Sequence, residues 1–229
     1  MSEVNVSENL SRLRLRIEKA ELAAGRESNS AGLVAVSKTK SISLIRAAVA
    51  EGQRAFGENY AQEAIEKAST LADLGLEWHF IGPVQSNKTS GLATWMSWVH
   101  TVDRLKVARR LNDQRPEHMA PLNVCLQVNI SGEASKAGLA SDQIDALALE
   151  VAQLPRLRLR GLMAIPAPTD DPAEQRRAFS DMRLLLQRLK LALPELDTLS
   201  MGMSADLEAA IAEGATLIRV GSDIFGARN

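Results

Sequence analysis

Lys38 closes the apolar run Leu33-Val34-Ala35-Val36-Ser37, and a helix pattern opens soon after it at Ser41. A short apolar run between turn signals reads as a buried strand. A lysine at the end of such a strand puts an ammonium where burial is costly. Burial lowers its pKa and leaves the amine partly neutral, the state in which a lysine captures a carbonyl carbon. The same side chain could instead lay its stem over apolar surface and keep its charge in water. Residues elsewhere in the chain bear on that choice.

Two later segments have the makings of an anion site. In Ser200-Met201-Gly202-Met203-Ser204-Ala205-Asp206, Ser204 is expected as the N-cap of the following helix. Free backbone N–H groups at a helix start attract anions, although capping alone is the simpler role. In Arg219-Val220-Gly221-Ser222, Gly221 permits close backbone approach and Ser222 adds a hydroxyl. Arg219 lies inside an apolar pattern and cannot shed its proton, so an inward guanidinium needs an acceptor. That acceptor is either a protein group or a heteroaromatic nitrogen of a ligand. Phe56-Gly57-Glu58-Asn59-Tyr60 and Trp78-His79-Phe80-Ile81-Gly82 offer a carboxylate, an amide and an imidazole at neighbouring strand ends. His79, His100 and His118 show no metal-ligand spacing with Cys125, so no metal site is expected. No Walker loop, dinucleotide fingerprint or nucleophile elbow occurs. The loop 129–138, with Lys136, reads as a solvated rim.

These residues need elements to hold them. Apolar runs at 33–37, 54–58, 77–82, 98–102, 122–130, 157–165, 197–201 and 217–221 alternate with amphipathic helix patterns. That alternation predicts βαβ units and a parallel sheet, and eight strands predict an α/β fold of the (β/α)8 TIM-barrel type. Ser41, Asp103, Ser141 and Asp171 are expected helix caps, with Pro172 at the first helical position and Glu174 completing a capping box. Gly52 and Gly214 are expected helix stops. The chain ends eight residues after Gly221, leaving no room for an eighth long helix. Leu10, Leu13, Ile17, Ala20 and Ala24 mark one face of an extra N-terminal helix, from about Ser7 to Gly25, that would fill the gap. The expectation is one domain over 1–229. Barrel enzymes place their sites at the C-terminal strand ends, often with phosphate held after strands 7 and 8.

Of the 229 residues, 27 are basic and 28 acidic, a net charge of −1 that gives no electrostatic case for nucleic acid or an anionic membrane. Cys125 cannot form an internal disulfide and is expected as a small core residue in a reducing compartment. The N-terminus has neither a basic nor an apolar leader region, and no apolar stretch is long enough to span a bilayer. The expected location is the cytoplasm.

Six ordered blocks carry a resemblance. They are Val34-Ala35-Val36-Ser37-Lys38-Thr39; Phe56-Gly57-Glu58-Asn59; Trp78-His79-Phe80-Ile81-Gly82 with Gln85 and Asn87-Lys88; Ser131-Gly132-Glu133 with Lys136 and Gly138; Met201-Gly202-Met203-Ser204-Ala205-Asp206; and Arg219-Val220-Gly221-Ser222 with Phe225-Gly226. From about Ala31 to Arg228 the chain resembles the pyridoxal phosphate homeostasis family, whose barrel is like the N-terminal domain of alanine racemase. The resemblance implies pyridoxal 5'-phosphate (PLP) as cofactor, held as a Schiff base on Lys38. It also implies phosphate contacts from Ser204, Gly221 and Ser222, Arg219 facing the pyridine nitrogen, and Asn59 lining the ring pocket. It implies no catalytic residue and no enzymatic activity. The protein would store, deliver or regulate PLP, as a monomer, with PLP-dependent apoenzymes as recipients. Two other functions fit the same residues: a single-domain PLP-dependent amino-acid racemase, and a Schiff-base aldolase. Asp223 is unusual at its position and is expected to point away from the cofactor.

Overall fold

The computed structural model describes residues 4–132 and 137–226. Eight strands close into a parallel barrel in chain order. They are β1 (Gly32–Val36), β2 (Ala55–Glu58), β3 (Glu77–Phe80), β4 (Trp98–Val102), β5 (Leu122–Val128), β6 (Leu157–Ala164), β7 (Thr198–Ser200) and β8 (Leu217–Val220). All eight expected strands are present. Closure is made by β8 pairing with β1, from Gly32 opposite Leu217 to Ala35 opposite Val220.

Among the described residues the helices are α1 (Val6–Ala23), α2 (Ile42–Ala50), α3 (Ala61–Thr70), α4 (Thr89–Trp95), α5 (Leu105–Gln114), α6 (Ile144–Ala152), α7 (Pro172–Leu189), α8 (Leu207–Ala212) and the single turn α9 (Ser222–Phe225). Ser41 caps α2 and Asp171 caps α7, each accepting from a backbone N–H in the first turn. The expected box at α7 is rearranged: Glu174 accepts from the Thr169 hydroxyl, and that hydroxyl accepts from the Asp171 amide. Asp103 and Ser141 are not caps. Helix α5 starts after Arg104 and α6 after Gln143, so both expected caps fall outside their helices. The Asp103 carboxylate instead pairs with the Arg104 side chain at 2.6 Å. Gly52 and Gly214 end their helices with positive φ, as expected.

Helix α1 buries Val6, Leu10, Leu13, Ile17 and Ala20 and packs against α2, α8 and α9. It therefore completes the helical ring between the last and first βα units. Polar contacts fix it there. The Asn9 amide donates to the Ile224 carbonyl at 3.0 Å, and Arg16 binds Glu208 in two-pronged fashion at 2.6 and 2.7 Å. If α1 is integral to the barrel, Leu10→Ala should lower stability by about 2–5 kcal/mol, as for other buried leucine truncations. The check is a lower urea midpoint with an unchanged slope. A shift worth less than about 1 kcal/mol would make α1 peripheral.

Candidate functional site

A strand sends every second side chain into the barrel. In β1 the inward series is Val34, Val36 and, two residues past the strand end, Lys38. The same alternation points Gly57 and Asn59, Glu77, His79 and Ile81, Met163 and Ile165, and Leu217, Arg219 and Gly221 inward. At the C-terminal mouth the last inward residues of these series, Val36, Lys38, Asn59, Ile81, Ile165, Arg219 and Gly221, line a cavity of about 530 Å³. Its walls include Lys38, Asn59, Ser204, Arg219, Gly221 and Ser222, so the structure gathers all six expected site residues around one space. Val36, Ile81, Ile165 and Met203 supply its apolar sides, and Lys40 lies at its rim with Nζ 3.1 Å from the Gly226 carbonyl.

The segment carrying Lys38 is clamped from outside the barrel. Ser37 points away from the cavity and donates to Glu58 Oε1 at 2.6 Å. Buried Lys67 of α3 donates to the Ser37 carbonyl at 2.7 Å, to Glu58 Oε1 at 2.8 Å and to Glu63 Oε1 at 2.6 Å. Glu63 Oε1 also accepts from the Thr39 amide at 2.7 Å. Thr39 has φ +62°, a left-handed conformation that is costly for a β-branched residue and needs such over-determination. Glu58 thus faces the helix layer. It does not join Asn59 at the mouth, because neighbours on one strand take opposite faces. Burial pushes the Glu58 carboxyl up, against the pull of Lys67 and Ser37.

Asn59 Oδ1 is buried with no hydrogen-bond partner, although it borders the cavity. Its backbone is held by close contact with Gly82, where an added Cβ would overlap the Asn59 carbonyl. Gly221 is explained differently than the sequence suggests. A Cβ there would come 2.9 Å from the Val36 carbonyl, so the glycine is required by the β8–β1 closure as well as by the cavity it lines. Ser204 is not the cap: Asp206 takes the N-cap position of α8 without a side-chain capping bond, its carboxylate accepting instead from the Met203 amide at 2.6 Å. A turn at 204–206 intervenes and brings the Ser204 hydroxyl 3.3 Å from that of Ser222. Asp223 does not line the cavity and its Oδ2 meets Arg16 of α1 at 3.3 Å, but its Oδ1 accepts from the Ser222 hydroxyl at 3.3 Å, so it points only partly away from the site. Lys136 lies outside the described residues.

Arg219 is buried at the cavity floor, and among the described residues no carboxylate contacts it. Its Nη1 donates to Ser200 Oγ at 2.7 Å and its Nη2 to the Ala164 carbonyl at 3.0 Å. Burial lowers it to about 10, partly offset by Asp206, so it stays cationic at neutral pH. Below it, Ser200 Oγ lies 2.7 Å from His100 Nδ1, His100 Nε2 lies 2.9 Å from His79 Nδ1, and His79 Nε2 lies 2.7 Å from Glu77 Oε1. Burial holds both imidazoles below the usual histidine range, His100 well below it. The hydrogen bond from His79 keeps the Glu77 carboxyl low. Trp98 stacks on His79 with an interplanar angle of 9°, and Arg160 covers Trp98 at 4.7 Å. Cys125 is a buried free thiol beside Trp98 and Met163, pushed up to about 12 by burial, and serves as core.

Sequence reading missed Lys67 and Glu63, whose only signal is an i, i+4 acid–base spacing on α3. It named His79 and His100 without pairing them. A shared inward parity on adjacent strands was the available clue.

The model of the alanine racemase N-terminal domain matches residues 9–229. The chain is 59% identical over 224 residues to the pyridoxal phosphate homeostasis protein of Pseudomonas aeruginosa, covering 98% of this chain and 96% of that one. It is 51% identical over 228 residues to the protein of the same name from Escherichia coli, covering 98% and 97%. PipY of Synechococcus elongatus, solved with PLP bound, superposes with a TM-score of 0.84 at 38% identity, covering 97% and 100%. Alanine racemase of Clostridium difficile shares the fold, with a TM-score of 0.75 at 15% identity, over 95% of this chain and 56% of that one.

Two predictions follow from the site's buried charges. Lys67→Met leaves two carboxylates without their ammonium and should cost about 3–5 kcal/mol. It should also speed exchange of the Thr39 amide; a stable variant with a protected Thr39 amide would show that the clamp is unimportant. The depressed imidazoles set a pH dependence. As pH falls below about 6.5, the unfolded chain takes up protons that the folded chain refuses. Stability is therefore intact above that pH and declines below it. Glu58 and Asp206, raised by burial, work in the opposite sense. Comparing the thermal midpoint from pH 8 to pH 5 with that of His100→Gln isolates the imidazole share, and identical profiles would refute it.

Proposed function

The chain belongs to the alanine racemase N-terminal-domain family, and on that premise we propose that it binds pyridoxal 5'-phosphate at the mouth of its barrel and serves vitamin B6 homeostasis, not catalysis. The observation that carries this reading is the single cavity around Lys38, Asn59, Ser204, Arg219, Gly221 and Ser222. Its chemistry fits the group. A lysine stands at one side, a pair of hydroxyls at another, and the buried Asn59 Oδ1 awaits a donor. Lys38 would hold the cofactor as a Schiff base, its amine condensing with the aldehyde as water leaves. Ser204, Gly221 and Ser222 would hold the phosphate, and Arg219 would face the pyridine nitrogen. When bound, the cofactor supplies a reactive aldehyde carbon and an electron-withdrawing ring.

The lining supports a carrier better than an enzyme. Racemization needs an acid/base group on each face of the reacting carbon. Tyr60, the chain's only tyrosine, is exposed and outside the cavity. An arginine cannot readily give its proton to the ring nitrogen, and an unprotonated pyridine is a weaker electron sink. The protein then acts as a cytoplasmic monomer that passes PLP to apoenzymes.

Borohydride treatment of the PLP-loaded protein should fix a pyridoxyl phosphate group on the peptide containing Lys38, seen by mass spectrometry. Ser204→Ala and Ser222→Ala should each weaken PLP binding by about 1–2 kcal/mol without affecting pyridoxal. Label on another lysine with normal binding by Lys38→Ala would refute the assignment. Amino-acid turnover near the enzyme median of about 10 per second would restore a racemase.

A further inference from the structure

The interior layer of a parallel barrel is ordinarily packed with branched apolar side chains. Here a column of polar groups crosses it. Arg219, Ser200, His100, His79 and Glu77 come from β8, β7, β4 and β3 and are joined end to end by contacts of 2.7 to 2.9 Å. Only Arg219 reaches the cavity. Glu77 is half-exposed at the opposite end.

The donors in this column are fixed by elementary valence. A guanidinium has no acceptor, so Arg219 donates to Ser200. The Ser200 proton then turns to the remaining partner, His100 Nδ1, which must be bare. His100 Nε2 carries its hydrogen and donates to His79 Nδ1. His79 Nε2 carries its hydrogen and donates to Glu77. Starting from the other end gives the same answer, because a carboxylate only accepts. With both rings neutral, no other arrangement keeps every link a hydrogen bond. The stacked Trp98 fixes the plane of His79, and Glu77 is further held by the Trp98 indole and the charge of Arg160.

We propose that Ser200, His100, His79 and Glu77 are positioning residues: a one-way hydrogen-bond relay that orients the Arg219 guanidinium at the cavity floor and couples it to the carboxylate at the far end of the barrel. Among the described residues no carboxylate contacts Arg219, and the relay gives its charge a remote counterpart through aligned dipoles. The inference deepens the cofactor reading, and rests on it only for what Arg219 faces.

The test uses the cofactor-free protein, labelled with 15N in histidine and arginine, by NMR at neutral pH. Both His79 and His100 should show the Nε2–H tautomer. Glu77→Gln should shift the His100 and Arg219 side-chain signals, although Glu77 touches neither residue. Ser200→Ala should speed solvent exchange of the Arg219 guanidinium protons roughly tenfold, as one charge-assisted hydrogen bond is lost. A purely structural role for Glu77 would leave those distant signals unmoved. An Nδ1–H tautomer at either ring, or Arg219 signals indifferent to both variants, overturns the relay. If the relay signals are as expected but the unaltered protein takes up no PLP, the cofactor reading fails and the relay stands.

Discussion

Everything at the mouth of this barrel depends on the pairing of β1 between β8 and β2. A strand reaches the interior with alternate side chains only, and a one-residue slip would exchange the two faces. The register opposes Val36 to Gly57 and Ala35 to Val220. It aims Lys38 inward and Ser37 outward, and it brings Asn59, Arg219 and Gly221 around the same space. Gly221 protects that register, since any side chain there would strike the Val36 carbonyl. The closing seam and the candidate site are therefore one structure.

The sheet also separates two ways of burying polar groups. Outside, Lys67 meets Glu58 and Glu63 directly, so two carboxylates share one ammonium. Burial and the second acid together push Glu58 up. The bonds converge on Glu58 Oε1 and leave its buried Oε2 without a partner, so losing the ammonium would strand both acids. Inside, opposite charges sit at the two ends of a neutral column. No ion pair forms there, and the column has to keep its hydrogen-bond order instead. The outer cluster holds the backbone beneath Lys38, and the inner column holds the guanidinium that faces it.

Local pattern made the strands, the N-terminal helix and the caps Ser41 and Asp171 legible, because each depends on a few neighbouring residues. The six residues of the cavity were legible as well, through ordered motifs at strand ends. Asp103, Ser141 and Ser204 were misread for a shared reason. In each case the turn before the helix runs one or two residues longer than the pattern shows, and a later residue takes the cap position. Glu58 was misplaced because composition does not say which face of a strand a residue takes; that requires knowing the parity of Asn59. The Glu77–His79–His100 part of the column left only the clue of shared parity on β3 and β4, and the link to Ser200 left none, because 100 residues separate His100 from Ser200.

Two kinds of group share the barrel interior below the cavity. Trp98, Met163, Cys125 and Leu217 form a small apolar cluster beside the polar column, with Trp98 stacked on His79. Above them lies the cavity with its lysine, hydroxyls and guanidinium. A barrel filled with branched apolar residues at the middle layer would have packed as well, without the burden of desolvating two imidazoles, a hydroxyl and a guanidinium. Such groups persist in a core only when every member is satisfied, and here each one in the column has its partner. Among the described residues lining the cavity, the one buried polar side-chain atom without a partner is Asn59 Oδ1. A polar floor that is complete therefore lies beneath a wall with one buried acceptor open, and that acceptor is the point of the candidate site left for a hydrogen-bond donor.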